Sequence, residues 1–271
     1  MTGDIIMSDK PESVGREVLY EVVEGHIGLV RLNRPDKRNA VNGDVATAMD
    51  WIVKETERDP EIRVVILAST AEGAFSAGAD LSEISKGRAH LLSTADGGFG
   101  GLARAKREKP WIAAVAAPAL AGGCELALSC DMIVASDNAR FGLPEVKRGL
   151  FAGAGGVFRL TRRLPAAIAY ELVATGDPID ATRAYSLGFV NRLTTADKVM
   201  DEALALARAI SVNAPLSVRE SLKVARMSFD HQESELWQAS YQTTALVFSS
   251  EDAKEGPVAF LEKRAPVWKG R

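Results

Sequence analysis

Residues 111–131 read WIAAVAAPALAGGCELALSCD. The run from Ile112 to Ala117 has the length and apolar character of a buried strand. The apolar stretch ends at Leu120, Gly122 and Gly123 follow, and Cys124 to Leu128 opens a helix. Backbone N–H groups at such a helix start have no intrahelical acceptor and lie at the positive end of the helix dipole, so they can receive an anionic oxygen. The same two glycines also suit close packing of a strand on a helix, and the pattern alone leaves both readings open. It does exclude a bilayer span, because Pro118, Gly122, Gly123 and Glu125 interrupt Trp111 to Leu128.

Outward from this stretch, similar apolar runs recur at Ile27–Leu32, Val64–Ala68 and Met132–Ala135, separated by helical patterns, which predicts α/β construction. By themselves they suit an open, doubly wound sheet. Between the first two runs, Val45, Ala48, Met49, Ile52 and Val53 mark one face of a helix over Asp44–Arg58, capped by Asn42 or Asp44 and ended before Pro60. After about residue 195 the pattern turns helical throughout: Ala196–Ser211, Leu216–Phe229, Glu233–Phe248 and Glu251–Lys263. Residues 1–16 read as a flexible lead-in without the basic start and apolar core of a signal peptide. Gly97, Gly98, Gly100 and Gly101 suggest a mobile loop near a ligand entrance.

Composition narrows the chemistry. The three histidines, His26, His90 and His231, are scattered, and the two cysteines, Cys124 and Cys130, lie six apart, so no zinc spacing exists and a disulfide scaffold is not expected. That points to a reducing, cytoplasmic setting. With 33 Lys and Arg against 36 Asp and Glu, the balance argues against nucleic-acid binding, which needs a basic face. There is no phosphate-loop lysine motif and no serine elbow. Cys124, among apolar neighbours with no adjacent base, reads as a buried filler.

Two carboxylates remain. Glu125 sits among Cys124, Leu126, Ala127 and Leu128, and Glu145 follows the apolar turn Phe141–Pro144. A carboxylate on an apolar segment tends toward a raised pKa, which suits proton transfer near neutral pH. Each could equally be a structural ion paired with Arg140, Lys147, Arg148 or Arg159.

Taken together, Phe75-Ser-Ala-Gly-Ala-Asp-Leu81, Gly122-Gly-Cys-Glu-Leu-Ala127, Cys130-Asp131, Ala139-Arg-Phe-Gly-Leu-Pro-Glu145 and Gly153-Ala-Gly-Gly156 resemble, in order and spacing, the signatures of the enoyl-CoA hydratase/isomerase (crotonase) family. Asn33-Arg-Pro35 and Asn39-Ala40 resemble its opening loop. The likeness revises the sheet expectation to an α/β spiral of ββα repeats over 17–195, holding an acyl-CoA. A helical region over 196–271 would build a homotrimer or a dimer of trimers. It implies that Ala79 and Gly122 supply the two N–H groups that hold a thioester oxygen and that Glu125 and Glu145 are the acid/base pair. Ala77, Asp80 and Leu81 would lie along CoA, Leu143 and Gly153 would shape the acyl site, and Phe260 and Lys263 would reach CoA from a neighbouring subunit. The implied activity is addition or removal of water across an enoyl-CoA double bond. It needs no metal or cofactor, coenzyme A being part of the substrate, and no membrane.

Three departures carry expectations. Ala121 replaces a usual glycine, which is tolerable if its φ stays negative. Ala117-Pro118 replaces a common Gly-Tyr and Leu143 a common Gln, so the acyl pocket should differ in shape and polarity. The tail from Ser250 to Arg271 resembles the carnitinyl-CoA dehydratase branch of the family. An enoyl-CoA isomerase, needing one base, and a non-catalytic acyl-CoA-binding scaffold are the alternatives.

Overall fold

The computed structural model describes residues 10–271, so most of the expected N-terminal lead-in, residues 1–9, lies outside the described residues. Within its remaining part, residues 10–16, Ser13 and Val14 are buried and Val14 bridges Val18, so that end of the expected lead-in packs against the fold. The strands are β1 (Val18–Val23), β2 (Ile27–Leu32), β3 (Val64–Ser69), β4 (Ser93–Thr94), β5 (Gly98–Phe99), β6 (Trp111–Val115), β7 (Ala119–Leu120), β8 (Met132–Ser136), β9 (Arg140–Gly142), β10 (Ile179–Asp180) and β11 (Arg192–Thr194). The helices are α1 (Gly43–Arg58), α2 (Leu81–Ser85), α3 (Gly122–Ser129), α4 (Gly156–Arg163), α5 (Ala166–Thr175), α6 (Ala181–Ser186), α7 (Val199–Ser211), α8 (Pro215–Met227), α9 (Glu233–Phe248) and α10 (Glu251–Glu262).

The main sheet runs β1-β2-β3-β6-β8-β11, antiparallel at the first pair and parallel thereafter. Strand order never reverses, so the sheet is not doubly wound and has no topological switch point. After each of β2, β3, β6 and β8 the chain steps into a second layer before its helix. Val41 bridges Ala79, Ser76 bridges Ala119, and β7 pairs with β9, which pairs with β10. This is the ββα spiral that the family resemblance implies.

The strands are apolar on both faces because both are covered. Val65, Leu67, Ala113, Val115, Ile133 and Ala135 face a core shared with α1 and α3, while Val64, Ile66, Ile112, Ala114 and Val134 face α7. Ala203 and Ala207 on α7 are buried there, small enough to bring that helix close to the sheet. The helical C-terminal region therefore begins as a layer of the α/β part. Asn42 caps α1 by accepting from Val45 N–H (3.0 Å), and the helix stops at Arg58, ahead of Pro60, as its residues predict.

One ion pair fastens the next helix. Arg226 of α8 donates to both oxygens of Asp131 (2.9 Å each) and to the carbonyls of Arg107 and Lys109 (2.7 and 3.2 Å). Asp131 also accepts from Trp111 N–H at the start of β6 (2.8 Å). Arg226→Met leaves that carboxylate largely buried without its cation. We expect a loss of about 3 kcal/mol, typical of a broken buried pair, read as a lower urea midpoint at unchanged slope.

Candidate active site

A cavity of about 1040 Å³ opens between the second layer and the start of α4. Its floor is where two backbone turns meet. Gly78, at φ +88°, lies so close to α3 that a Cβ there would come within 2.6 Å of Gly122 N. Only glycine allows that approach. Val41 N–H donates to Gly78 O (2.7 Å) and Asp80 N–H to Val41 O (2.9 Å), while among the described residues Ala79 N–H, between them, has no acceptor. Gly122, the first residue of α3, likewise has no intrahelical acceptor for its N–H. Two unpaired donors thus stand together on the cavity wall.

Glu125 lies one turn further along α3 and is buried. Its Oε1 accepts from Ala154 N–H (2.7 Å), in the turn before α4, and from Gly156 N–H (2.9 Å), the first residue of α4. A Cβ on Gly156 would sit 2.8 Å from Glu125 Cγ, so glycine is needed for the turn to reach the carboxylate. Burial pushes the Glu125 carboxyl above the usual range, and the charge of Glu145 adds to that. The two N–H donors and Arg159 oppose it. Burial also raises Glu145, whose Oε2 is buried with no hydrogen-bond partner among the described residues. Among the described residues neither glutamate is in a salt bridge. Lys147 pairs with Asp177, Arg148 and Arg140 donate to backbone carbonyls, and Arg159 donates to neutral oxygens.

Of the residues expected from the sequence, Ala77, Ala79, Leu81, Gly122, Glu125, Glu145 and Gly153 line this cavity. Four do not. Asp80 caps α2 by accepting from Ser82 N–H and pairs with Arg34 at 3.1 Å, which turns its carboxylate into the loop. Leu143 is buried in the core behind Gly156, so it acts on the pocket from beneath and not as a wall. Phe260 and Lys263, on and just after α10, lie off the cavity of their own chain, and Phe260 is 83% exposed. The glycine stretch 97–101 is not a loose loop. It is buried and braced by Arg104 N–H on Gly97 O (2.7 Å) and by Gly97 N–H on the Asp50 carboxylate (3.2 Å). Cys124 is fully buried, as its apolar neighbours imply.

The sequence reading missed Phe99, Phe151 and Phe158, which form apolar walls, and Arg38, which lines the cavity. Phe99 lies inside the glycine stretch and Phe151 immediately precedes the Ala152–Gly156 turn, so proximity to glycine was the available signal. From the sequence, Arg159 reads only as an ion partner.

Paired amide donors lie beside one buried and one half-buried carboxylate on an α/β spiral, an arrangement able to carry acid–base chemistry. The profile of the family described as enoyl-CoA hydratase/isomerase matches residues 23–271, and the chain belongs to that family. It is 40% identical over 262 residues to a carnitinyl-CoA dehydratase of Escherichia coli O157:H7, covering 94% of this chain and 99% of that one. Among solved structures, an enoyl-CoA hydratase of Mycobacterium tuberculosis H37Rv superimposes with a TM-score of 0.90 at 40% identity. A carnitinyl-CoA hydratase of Mycobacterium avium does so with a TM-score of 0.74 at 46% identity. In each case 94% of this chain and 99% of the other are covered.

Ala121 overturns one expectation. Its φ is +52° with ψ −132°, not negative, because the chain must turn sharply between β7 and α3 for Gly122 to face the cavity. A side chain in such a region costs about 1–3 kcal/mol. Ala121→Gly should therefore stabilise the protein by about 1 kcal/mol, after allowing for the greater unfolded-chain entropy of glycine. Urea unfolding checks the sign, and destabilisation would show that the turn is not strained.

Proposed function

We propose that this protein adds water to, and removes it from, the α,β double bond of an enoyl-CoA thioester. The observation that carries the reading is the unequal pair of carboxylates beside the two free N–H groups. Glu125 accepts two backbone hydrogen bonds, which favours its ionised form, whereas Glu145 keeps a buried oxygen without a donor, which favours its protonated form. In hydration, ionised Glu125 takes a proton from water as its oxygen attacks Cβ. The π electrons move to the thioester oxygen, which Ala79 and Gly122 N–H stabilise, each such donor lowering the barrier by about 3 kcal/mol. Glu145 then protonates Cα. Dehydration runs the same steps backward, with Glu145 as base, and proton exchange with solvent resets the pair. No step calls for a metal or redox cofactor, so dialysis against EDTA should leave turnover unchanged.

Two intact carboxylates favour hydration over double-bond isomerisation, which requires one base, and over a non-catalytic scaffold, which requires neither. The names of the relatives make crotonobetainyl-CoA the first member of a substrate panel that includes crotonyl-, decenoyl- and steroid-enoyl-CoA. Ala77, Leu81 and Gly153 would contact substrate along the cavity wall. Exposed aromatic and apolar side chains on the last two helices support a homotrimer or dimer of trimers in which Phe260 and Lys263 reach a neighbour's CoA. They are Trp237 stacked on Tyr241, with Phe248, Phe260 and Leu261. Sedimentation should give three or six times the chain mass. Among the described residues no helix is long and apolar enough to cross a membrane, and both cysteines are free, which fits work in the cytoplasm.

Glu125→Gln and Glu145→Gln should each reduce hydration of the best panel substrate by about 10²–10⁴-fold, with KM little changed. A scaffold would give no turnover even before substitution, and an isomerase would shift 3-enoyl-CoA with one carboxylate missing. The pH profile should be bell-shaped. Because both carboxyl groups are raised, the acid limb, where Glu125 gains a proton and can no longer accept one from water, lies above the usual carboxylate range.

A further inference from the structure

Arg159, in the first turn of α4, lines the cavity, and its guanidinium donates to three neutral oxygens on three different segments. Nη2 reaches Ala103 O (2.6 Å), at the end of the segment that carries Phe99. Nη1 reaches Ala154 O and Ser129 Oγ, each at 3.1 Å. The last two bear on Glu125 from opposite sides. Ala154 is one of the two residues whose N–H holds the Glu125 carboxylate, and Ser129 Oγ donates to the backbone carbonyl of Glu125 itself (2.7 Å). One rigid planar cation therefore ties the turn that grips the carboxylate to the helix that bears it.

We infer that Arg159 is the positioning residue for Glu125, fixing where its carboxylate points and placing a positive charge near it. The inference rests on the hydratase reading above. The groups that face Glu125 are few. Glu145 faces it from the 144–148 segment and Arg159 from α4, while Cys124, fully buried, adjoins it on its own helix. Arg107 and Arg163 stand further along, donating to the carbonyls of Ser129, and of Leu128 and Cys130, at the end of α3. Arg107 and Arg163 repel Arg159, so that site keeps a crowded cation where a neutral donor would serve mere packing better. Arg159 favours the ionised form of Glu125. Loss of its charge therefore moves the acid limb of the pH profile upward.

The test compares Arg159→Met, Arg159→Lys and Ser129→Ala with wild type, measuring kcat, KM and the pH dependence of kcat/KM on the best enoyl-CoA, and Kd for saturated butyryl-CoA. Arg159→Met should lower kcat by about 10–100-fold, as a misplaced catalytic group does, at KM and Kd within about threefold, and raise the acid limb. Arg159→Lys, which keeps the charge but not the three-way tie, should restore the limb and only part of kcat. Ser129→Ala should lower kcat modestly with the limb unmoved. If Arg159→Met does not fold, the Lys and Ala variants decide: wild-type kcat in both overturns the inference. It is also overturned if kcat and affinity fall together with the limb unmoved, the mark of a structural role. Inactive wild type would instead sink the hydratase reading.

Discussion

A carboxylate taken out of water must be given donors or it will not stay charged, and in this chain that requirement falls on Glu125. Its two donors are backbone amides of a turn 29 and 31 residues away, so they are in place only when α3 and α4 pack with the turn pressed against the glutamate side chain. Gly156 makes that contact possible by leaving out a side chain. The same helix that bears Glu125 begins at Gly122, whose N–H has no intrahelical acceptor, and Gly78 is pressed against it from the neighbouring repeat. The carboxylate, the free amides and the glycines are thus one packing problem with one solution.

The spiral topology makes such a solution available. Because successive strands advance in one direction, the second-layer segments 76–79, 119–120 and 140–142 fall side by side, and the turns after them open on a common face. Ala79 comes from one repeat, Gly122 and Glu125 from the next, and Glu145 from the one after. A doubly wound sheet would send alternate helices to opposite faces and separate them. Strain at Ala121 is the local cost of turning the chain from the second layer into α3 quickly enough to leave Gly122 N–H facing the cavity.

The range of each interaction decides how legible it is in the sequence. Strands β2, β3, β6 and β8, the Asn42 cap and the helical C-terminal region are written in local periodicity and capping residues, and the structure places them within about three residues of the expected bounds. Glu125 and Glu145 stand out locally because charge on an apolar segment is anomalous. The positive φ of Ala121 is not legible, since alanine gives no sign of it. Nor is the inward burial of Leu143, because one residue in a turn does not declare which side of the second layer it faces. The brace on residues 97–101 depends on Asp50, 47 residues before Gly97, so glycine content alone suggests looseness where packing produces a wall.

The shortage of histidine acquires a physical sense in this setting. An imidazole titrates near neutrality in water and loses its proton when buried, whereas a buried carboxyl is pushed upward toward neutrality. Burial in the cavity therefore raises both glutamate carboxyl groups, and it does so by the same exclusion of water that strengthens amide hydrogen bonds. In the proposed mechanism, what separates Glu125 from Glu145 is then not residue type but the hydrogen bonds each accepts. Two backbone donors favour the ionised form of one carboxyl against its burial, and no donor reaches the buried oxygen of the other. Asymmetry of that kind is set by the backbone of the Ala154–Gly156 turn.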